Sequence, residues 1–440
     1  MRQSFTLLFF FISFTNSVFG QNINISKLDS LLDAVSKNNK GMGSFSINQN
    51  GTTVYQKSIG YSDVEKKEIA NKETLYRIGS ITKMLTAILT FQLIEEGKLS
   101  LETPVSKFFP NTKVFDKITI ATLLKHKSGL YDFVNESEDS GWLTQPQTDQ
   151  SILDTIKKGI PYFDPGANFS YSNSGYFLLV KIIEKVEGKK YSKIVKNKIF
   201  SRIGLKQTFC LTTSKKQKKE ALSYKMKKDW EKVHDFYFTN VVGVGDVLST
   251  PSDLILISNA LFNGNLISEK SLTLMKTFEK GPFGMGIMRT PFYSHLGFGH
   301  AGDTYGTHSI VTFFPEDNLT VAFCLNAESM SRNEMAIAIL KICFNQEYKI
   351  PTFNAISIEN SVLEKYCGNY STSAMPLKFN ISLKDNTLFA RATGQEAILL
   401  EPIEINKFQV QELNAFFEFD VEKKKMTFKQ GEAKFLFDKE

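Results

Sequence analysis

The sequence predicts an α+β protein: an α/β sandwich, with an antiparallel sheet flanked by helices, that carries a mostly helical insertion and is followed by a small antiparallel β-barrel. Three observations predict this. An Asn50-Gly51 hairpin signal near the N-terminus is separated from the next group of short strands by a long helical stretch. A helix apolar on more than one face lies between them, and the last eighty or so residues change to short alternating strands. The 440 residues are enough for two or three domains at ~150 residues each.

In chain order, residues 1–20 read as a secretory signal peptide. Arg2 precedes an apolar run from Phe5 to Phe14, and Val18 and Gly20 are small enough for cleavage after Gly20. The run is shorter than the ~20 residues of a spanning helix, so no stable membrane span is expected after cleavage; an uncleaved anchor is the alternative. The mature chain is then exported, periplasmic or secreted. Residues 21–347 form the main domain. A helix over Ile25 to Lys37 leads into strands Ser44 to Gln49 and Thr52 to Ile59. Thr82 to Glu96 is a buried helix that stops at Gly97, and residues 101–240 are the insertion, with helical runs at Ile120 to Lys125, Ser151 to Lys158 and Ser174 to Glu187. Strands return at Phe283 to Thr290, Phe292 to Gly297, Thr307 to Phe314 and Leu319 to Leu325, and a helix over Arg332 to Phe344 closes the domain. Residues 348–356, with Pro351, are a linker. Residues 357–440 are the barrel, with strands at Phe379 to Lys384, Thr387 to Thr393, Lys407 to Gln411, Phe416 to Val421 and Lys425 to Lys429.

Composition excludes several function classes. Hydrophobic residues at 42% and charged residues at 22% are globular values, which excludes long disorder and a multi-span membrane protein. The net charge of +7 is spread along the chain except for Lys215 to Lys228, so no nucleic acid is expected as a partner; that run reads as a solvated loop, with binding of an acidic polymer as the alternative. Cys210, Cys324, Cys343 and Cys367 are too few and too far apart for a disulfide scaffold and read as core residues, with one bridge left open in an oxidising compartment. The histidines at 126, 234, 295, 300 and 308 form no His-Glu-x-x-His and no Cys pairs, so no metal is expected.

Three short elements carry chemistry. Ser80-Ile81-Thr82-Lys83 opens the buried helix, and a separation of three puts hydroxyl and amine on one face, where they can touch. Lys becomes a base for Ser only if desolvation or positive charge lowers its pKa from ~10.4, and the helix N-terminus works in that direction. Tyr171-Ser172-Asn173 precedes a helix and offers a phenol that can relay protons and an amide that can hold a substrate. His300-Ala301-Gly302 follows a strand, where small residues let a substrate lie along the edge. Each has a plain alternative: a Ser N-cap with an exposed Lys, an ordinary helix start, and a turn after a strand.

Together and in this order, the three elements resemble those of the serine β-lactamase and penicillin-binding protein superfamily, particularly its class C-like esterase branch. The resemblance runs from about Ile25 to Phe344 and includes His126-Lys127-Ser128-Gly129-Leu130, Phe163-Asp164-Pro165-Gly166 and Leu248-Ser249-Thr250-Pro251-Ser252-Asp253-Leu254. It implies that Ser80 is the acylated nucleophile, Lys83 its general base, and Tyr171 the proton relay that also activates the deacylating water. Asn173, His300 and Gly302 would contact substrate, and the backbone N–H groups of Ser80 and Asp303 would form the oxyanion hole. His300 and Ala301 depart from the family's Lys-Thr-Gly. A His near its reference pKa of ~6.5 is mostly neutral at pH 7 and does not supply the cation that pairs with the carboxylate of a penicillin or a terminal D-Ala.

The expected function is that of an exported serine hydrolase requiring no cofactor, acting on a small-molecule or peptide ester or amide. An esterase, or a D-aminopeptidase or D-Ala-D-Ala carboxypeptidase-like enzyme, is favoured over a β-lactamase; a non-catalytic binding module of the same fold is the further alternative. The barrel resembles the small domain that often trails such hydrolases.

Overall fold

The computed structural model describes residues 22–135, 141–213, 215–227, 229–279, 281–353, 358–374, 376–384, 386–410, 413, 415–431 and 433–440. The expected signal peptide and part of the expected linker lie outside the described residues. Helix α1 (Ile25–Lys37) starts at Asn24, whose side chain accepts the Lys27 N–H, and buries Leu28, Leu31, Leu32 and Val35 on one face. Strands β1 (Gly41–Gln49) and β2 (Thr52–Ile59) form the expected hairpin; Asn50 and Gly51 both take positive φ, which that turn requires.

Helix α2 (Thr82–Glu95) is buried from Thr82 through Leu93, following a 3₁₀ turn over Gly79–Ile81. The insertion contributes α3 (Ile120–Leu124), α4 (Asp149–Lys158) and α5 (Asn173–Glu187), and α6 (Pro251–Phe262) follows it. The insertion is less purely helical than expected. Phe209–Cys210 pairs in a short sheet with Val247–Ser249 and Tyr76–Arg77, and Tyr224–Met226 forms a hairpin with Trp230–Lys232. Within the Lys215 to Lys228 run, Lys216 pairs with Asp63, Lys219 with Glu73 and Lys227 with Glu231.

Strands β3 (Met288–Phe292), β4 (His295–Asp303), β5 (His308–Phe314) and β6 (Leu319–Glu328) complete a six-stranded antiparallel sheet in the order β3-β4-β5-β6-β1-β2. Helix α7 (Arg332–Cys343) begins with a Ser331/Glu334 capping box. The two-residue period of β6 sorts its side chains between two cores. Phe323 and Leu325 pack with α1 and α7, whereas Ala322 and Cys324 face the core that contains α2 and the insertion. The sheet therefore stands between the terminal helices and the helical body, as an α/β sandwich requires.

Three expectations for this sheet need correction. Phe292 to Gly297 is not a strand of its own: Phe292 ends β3 and His295, paired with it, opens β4, so the run spans their turn. Phe283 to Thr290 is not one strand: Phe283 makes only an isolated bridge to Met288. His300, Ala301 and Gly302 do not follow a strand but lie inside β4, which runs on to Asp303. The four cysteines are free thiols, with Cys210, Cys324 and Cys343 buried in apolar surroundings.

After α7, Tyr348, Ile350 and Phe353 pack against the core formed by α1 and α7. The chain then closes an eight-stranded barrel from β7 (Gly368–Ser371), β8 (Lys378–Lys384), β9 (Thr387–Ala392), β10 (Ala397–Glu404), β11 (Lys407–Val410), β12 (Ala415–Asp420), β13 (Lys425–Gln430) and β14 (Ala433–Lys439). Five of these were expected; β7, β10 and β14 were not. Buried aromatic side chains, among them Tyr370, Phe379, Phe417, Phe419 and Phe437, fill the barrel as a packed core. Lys40 of the main domain reaches Glu401 of β10 at 3.3 Å.

Candidate active site

Ser80 lies in the 3₁₀ turn and Lys83 in the first turn of α2, so the spacing of three brings them together: Lys83 Nζ is 3.0 Å from Ser80 Oγ. Ser80 is half-buried, while Lys83 is entirely enclosed. The amine's other hydrogen bond is to the carbonyl of Val244, at 3.1 Å. Burial pulls the Lys83 pKa down to about 7, with the more distant Asp132 carboxylate working in the opposite direction. With one N–H donated to Val244, the lone pair of the neutral amine is free to point at the Ser80 hydroxyl, the geometry that a general base needs.

Tyr171 stands against this pair, its ring 5.0 Å from Lys83 Nζ. Burial raises the phenol pKa well above its ordinary value, so the group is protonated at neutral pH. Ser80 lies close enough to favour its ionised form slightly, yet the buried Oη makes no hydrogen bond of ordinary geometry. Asn173 opens α5 and is held by Asp132, which accepts both its backbone N–H and, at 3.0 Å, its side-chain amide. Part of the Asn173 amide is thus committed to the protein itself.

The third element reaches the site because two glycines allow β4 to press on the turn that carries Ser80. A Cβ on Gly302 would stand 1.9 Å from the carbonyl oxygen of Ile78, and one on Gly79, at φ +52°, would stand 2.8 Å from the Asp303 nitrogen. Ser309 Oγ fastens the same contact by donating to the Ile78 carbonyl at 2.9 Å. Asp303 N and the Ser80 turn are thereby neighbours, as an oxyanion hole built from their N–H groups requires. Arg332 at 2.5 Å and His308 at 2.8 Å grip the Asp303 carboxylate and fix the end of β4.

His300 is only 4% exposed, and burial lowers its pKa to about 4, so the imidazole is neutral. Its Nδ1 lies 2.5 Å from the carbonyl oxygen of Ala301, while the buried Nε2 has no partner. Phe283 bridges His300 to the rest of the site, with ring centroids 6.4 Å from His300, 5.4 Å from Tyr171 and 5.4 Å from Phe169.

Ser80, Lys83, Tyr171, His300, Gly302 and Asp303 come to this one place, and Asn173, two residues after Tyr171, is held by Asp132. Sequence reasoning missed Asp132, the Val244 carbonyl, Phe283 and the Arg332–Asp303–His308 cluster. Asp132 follows the His126 to Leu130 motif by two residues and could have been found there; the role of Val244 is carried by its backbone and leaves no trace in residue type.

Residues 29–344 match the Beta-lactamase family model. Penicillin-binding protein 4* of Bacillus subtilis (strain 168) is 25% identical over 89% of this chain and 93% of its own length. Teichoic acid D-alanine hydrolase of Staphylococcus aureus (strain NCTC 8325 / PS 47) is 28% identical over 67% of this chain and 72% of its own. Among solved structures, the octameric penicillin-binding protein homologue from Pyrococcus abyssi superposes with a TM-score of 0.69 at 26% identity, covering 94% of this chain and 100% of that one. D-amino acid amidase from Ochrobactrum anthropi SV3 gives a TM-score of 0.65 at 25% identity, covering 72% and 99%. With a matching family model over most of its length, and a Ser and a Lys in contact at the start of the buried helix, the chain belongs to the β-lactamase and penicillin-binding protein superfamily of serine hydrolases.

Proposed function

We propose that the chain hydrolyses an ester or amide of a D-amino acid through an acyl-enzyme on Ser80. The observation that carries the catalytic part is the enclosed Lys83 amine at 3.0 Å from Ser80 Oγ. In this reading Lys83 takes the Ser80 proton as Oγ attacks the carbonyl carbon. The N–H groups of Ser80 and Asp303 hold the oxyanion; losing one such donor typically costs ~3 kcal/mol of barrier. Tyr171 passes its phenolic proton to the leaving oxygen or nitrogen and recovers one from the Lys83 ammonium. Water then enters, gives a proton to Lys83 through Tyr171, and attacks the acyl carbon; the bond from that carbon to Oγ breaks as Oγ takes the proton back from the Lys83 ammonium, which releases the acid and restores both Ser80 and the neutral amine. No cofactor takes part.

His300 supports the substrate class. Where the superfamily's Lys would pair with a carboxylate, this chain has a buried neutral imidazole. Arg77, three residues before Ser80, is paired with Glu220 at 2.7 Å and Asp235 at 3.3 Å, and Arg332 is paired with Asp303. These pairings disfavour penicillins and D-Ala-D-Ala peptides and favour an acyl donor without a carboxylate beside the scissile bond. The similarity to a D-amino acid amidase and to a teichoic acid D-alanine hydrolase points the same way. Export rests on the leader sequence alone; among the described residues no helix is long and apolar enough to cross a membrane.

Two expected results test this reading. Because the base must be neutral, kcat/KM for a D-alanyl ester should rise tenfold per pH unit up to about 7, where Lys83 titrates, and then level off. A flat profile between pH 5 and 8 contradicts Lys83 as base. Replacing His300 with Lys should shift the ratio of kcat/KM for a D-Ala-D-Ala peptide to that for an uncharged D-alanyl ester upward by about tenfold or more, the effect of one charge-assisted hydrogen bond. An unchanged ratio would show that position 300 does not select charge.

A further inference from the structure

The His126 to Leu130 motif has no part in the steps above, yet His126 is built into the site. It is 1% exposed and meets the Tyr171 segment with three different groups. Its backbone carbonyl accepts the N–H of Ser170 at 3.0 Å, and its Nδ1 accepts the N–H of Ser172 at 3.0 Å, so it binds the residue on each side of Tyr171. Its ring lies against the Tyr171 ring itself, with centroids 4.4 Å apart and planes at 24°. Tyr176 of α5 is stacked on it too, at 5.0 Å and 28°, so the imidazole packs against two phenol rings. The backbone of His126 takes a φ of +55°, a region that few non-glycine residues occupy, Asn and His being among those enriched there. Such strain persists where the surroundings hold it in place.

We propose that His126 is a positioning residue for proton transfer: it clamps Tyr171 by both flanking amides and by its ring, and so fixes the phenol over Ser80 and Lys83. The need for a clamp follows from Tyr171 itself. Its Oη makes no hydrogen bond of ordinary geometry, with Ser80 only near it, so the reacting end of the side chain is held weakly. Orientation must come from the backbone and from the face of the ring, which are the parts that His126 contacts. Burial, with Lys83 and His300 nearby, keeps the imidazole well below its usual pKa, so Nδ1 retains the lone pair that the Ser172 N–H requires. A misplacement of ~1 Å at a reacting group can cost 10²-fold in rate, so a clamp of this kind has measurable consequences. This inference rests on the reading of Tyr171 as proton relay.

The test is a double-mutant cycle between His126 and Tyr171, read as kcat and KM on a nitrophenyl ester, with circular dichroism and Tm as checks on folding. His126→Leu removes the acceptor and the stacked ring. It should lower kcat by roughly 10²-fold with little change in KM. His126→Asn places an amide oxygen where Nδ1 stood and tolerates the positive φ, so it should recover much of that loss. In the Tyr171→Phe background His126→Leu should cost less than about threefold more, because a clamp has nothing to do once the phenol is gone. His126→Gln, whose amide overshoots the Nδ1 position, serves in the same cycle if His126→Leu does not fold. Full kcat in His126→Leu alongside a slowed Tyr171→Phe, or equal losses in both backgrounds, would overturn the clamp and leave the relay standing. Wild-type kcat in Tyr171→Phe would overturn the relay and the clamp with it.

Discussion

Ser80→Ala and Lys83→Ala are each expected to lower kcat/KM for a D-alanyl ester by roughly 10⁴-fold or more, and the double variant should be no worse than either, because nucleophile and base act as a unit. The fold should survive both changes. Ser80 is half-buried, and Lys83 is an amine held without an ion pair among the described residues, so removing it also removes a desolvation cost. Circular dichroism and Tm, measured beside the kinetics, separate loss of chemistry from loss of structure. Near-wild-type turnover in either variant would remove that residue from the mechanism.

Tyr171→Phe carries the next largest expected effect, a loss of roughly 10²–10⁴ in kcat, as for other general acid–base groups. The same substitution should leave Tm unchanged or raise it, since it deletes a buried hydroxyl that makes no hydrogen bond of ordinary geometry. Lower activity with undiminished stability is what a group kept for chemistry shows, and the opposite pair of results would make Tyr171 a packing residue. Both quantities come from one preparation, by steady-state kinetics and a thermal melt.

Much of this site is legible in residue order because its parts lie close in sequence. Ser80 and Lys83 share one helical turn, and Tyr171 and Asn173 sit on either side of the Ser172 cap of α5. The hairpin at Asn50-Gly51 and the buried face of α2 follow equally from local pattern. What stayed hidden depends on contacts distant in sequence. Gly297, Gly299 and Gly302 read as a strand ending in a turn, yet β4 continues through them. Their missing side chains let neighbours close in: a Cβ on Gly299 would lie 1.8 Å from the Val311 carbonyl oxygen, and one on Gly302 would strike that of Ile78. In the barrel, β10 contains Pro402 beside a register shift, a residue that local pattern disfavours inside a strand, and it is held in the sheet by the paired strands on both sides. The short β7 is pinned by pairing with β8 and with the last strand, a closure that no local pattern announces.

The depressed basicity of Lys83 shows the same division. The Ser-x-x-Lys spacing gives contact, but the surroundings that bring the amine to about 7 come from α2, α5 and the Val244 segment folding over it. Likewise, the His300 substitution is visible in sequence, whereas its 4% exposure, which makes it a neutral acceptor and excludes a partly charged surface group, is a property of β4 in the folded six-stranded sheet.

The most direct measurement is the mass of the protein trapped during turnover of a D-alanyl ester, followed by peptide mapping. An acyl-enzyme on Ser80 predicts a D-alanyl adduct on the peptide that contains Ser80, formed in the wild type, absent in Ser80→Ala and longer-lived in Tyr171→Phe. Steady hydrolysis with the adduct on a different residue, or with an equal adduct in Ser80→Ala, would contradict it.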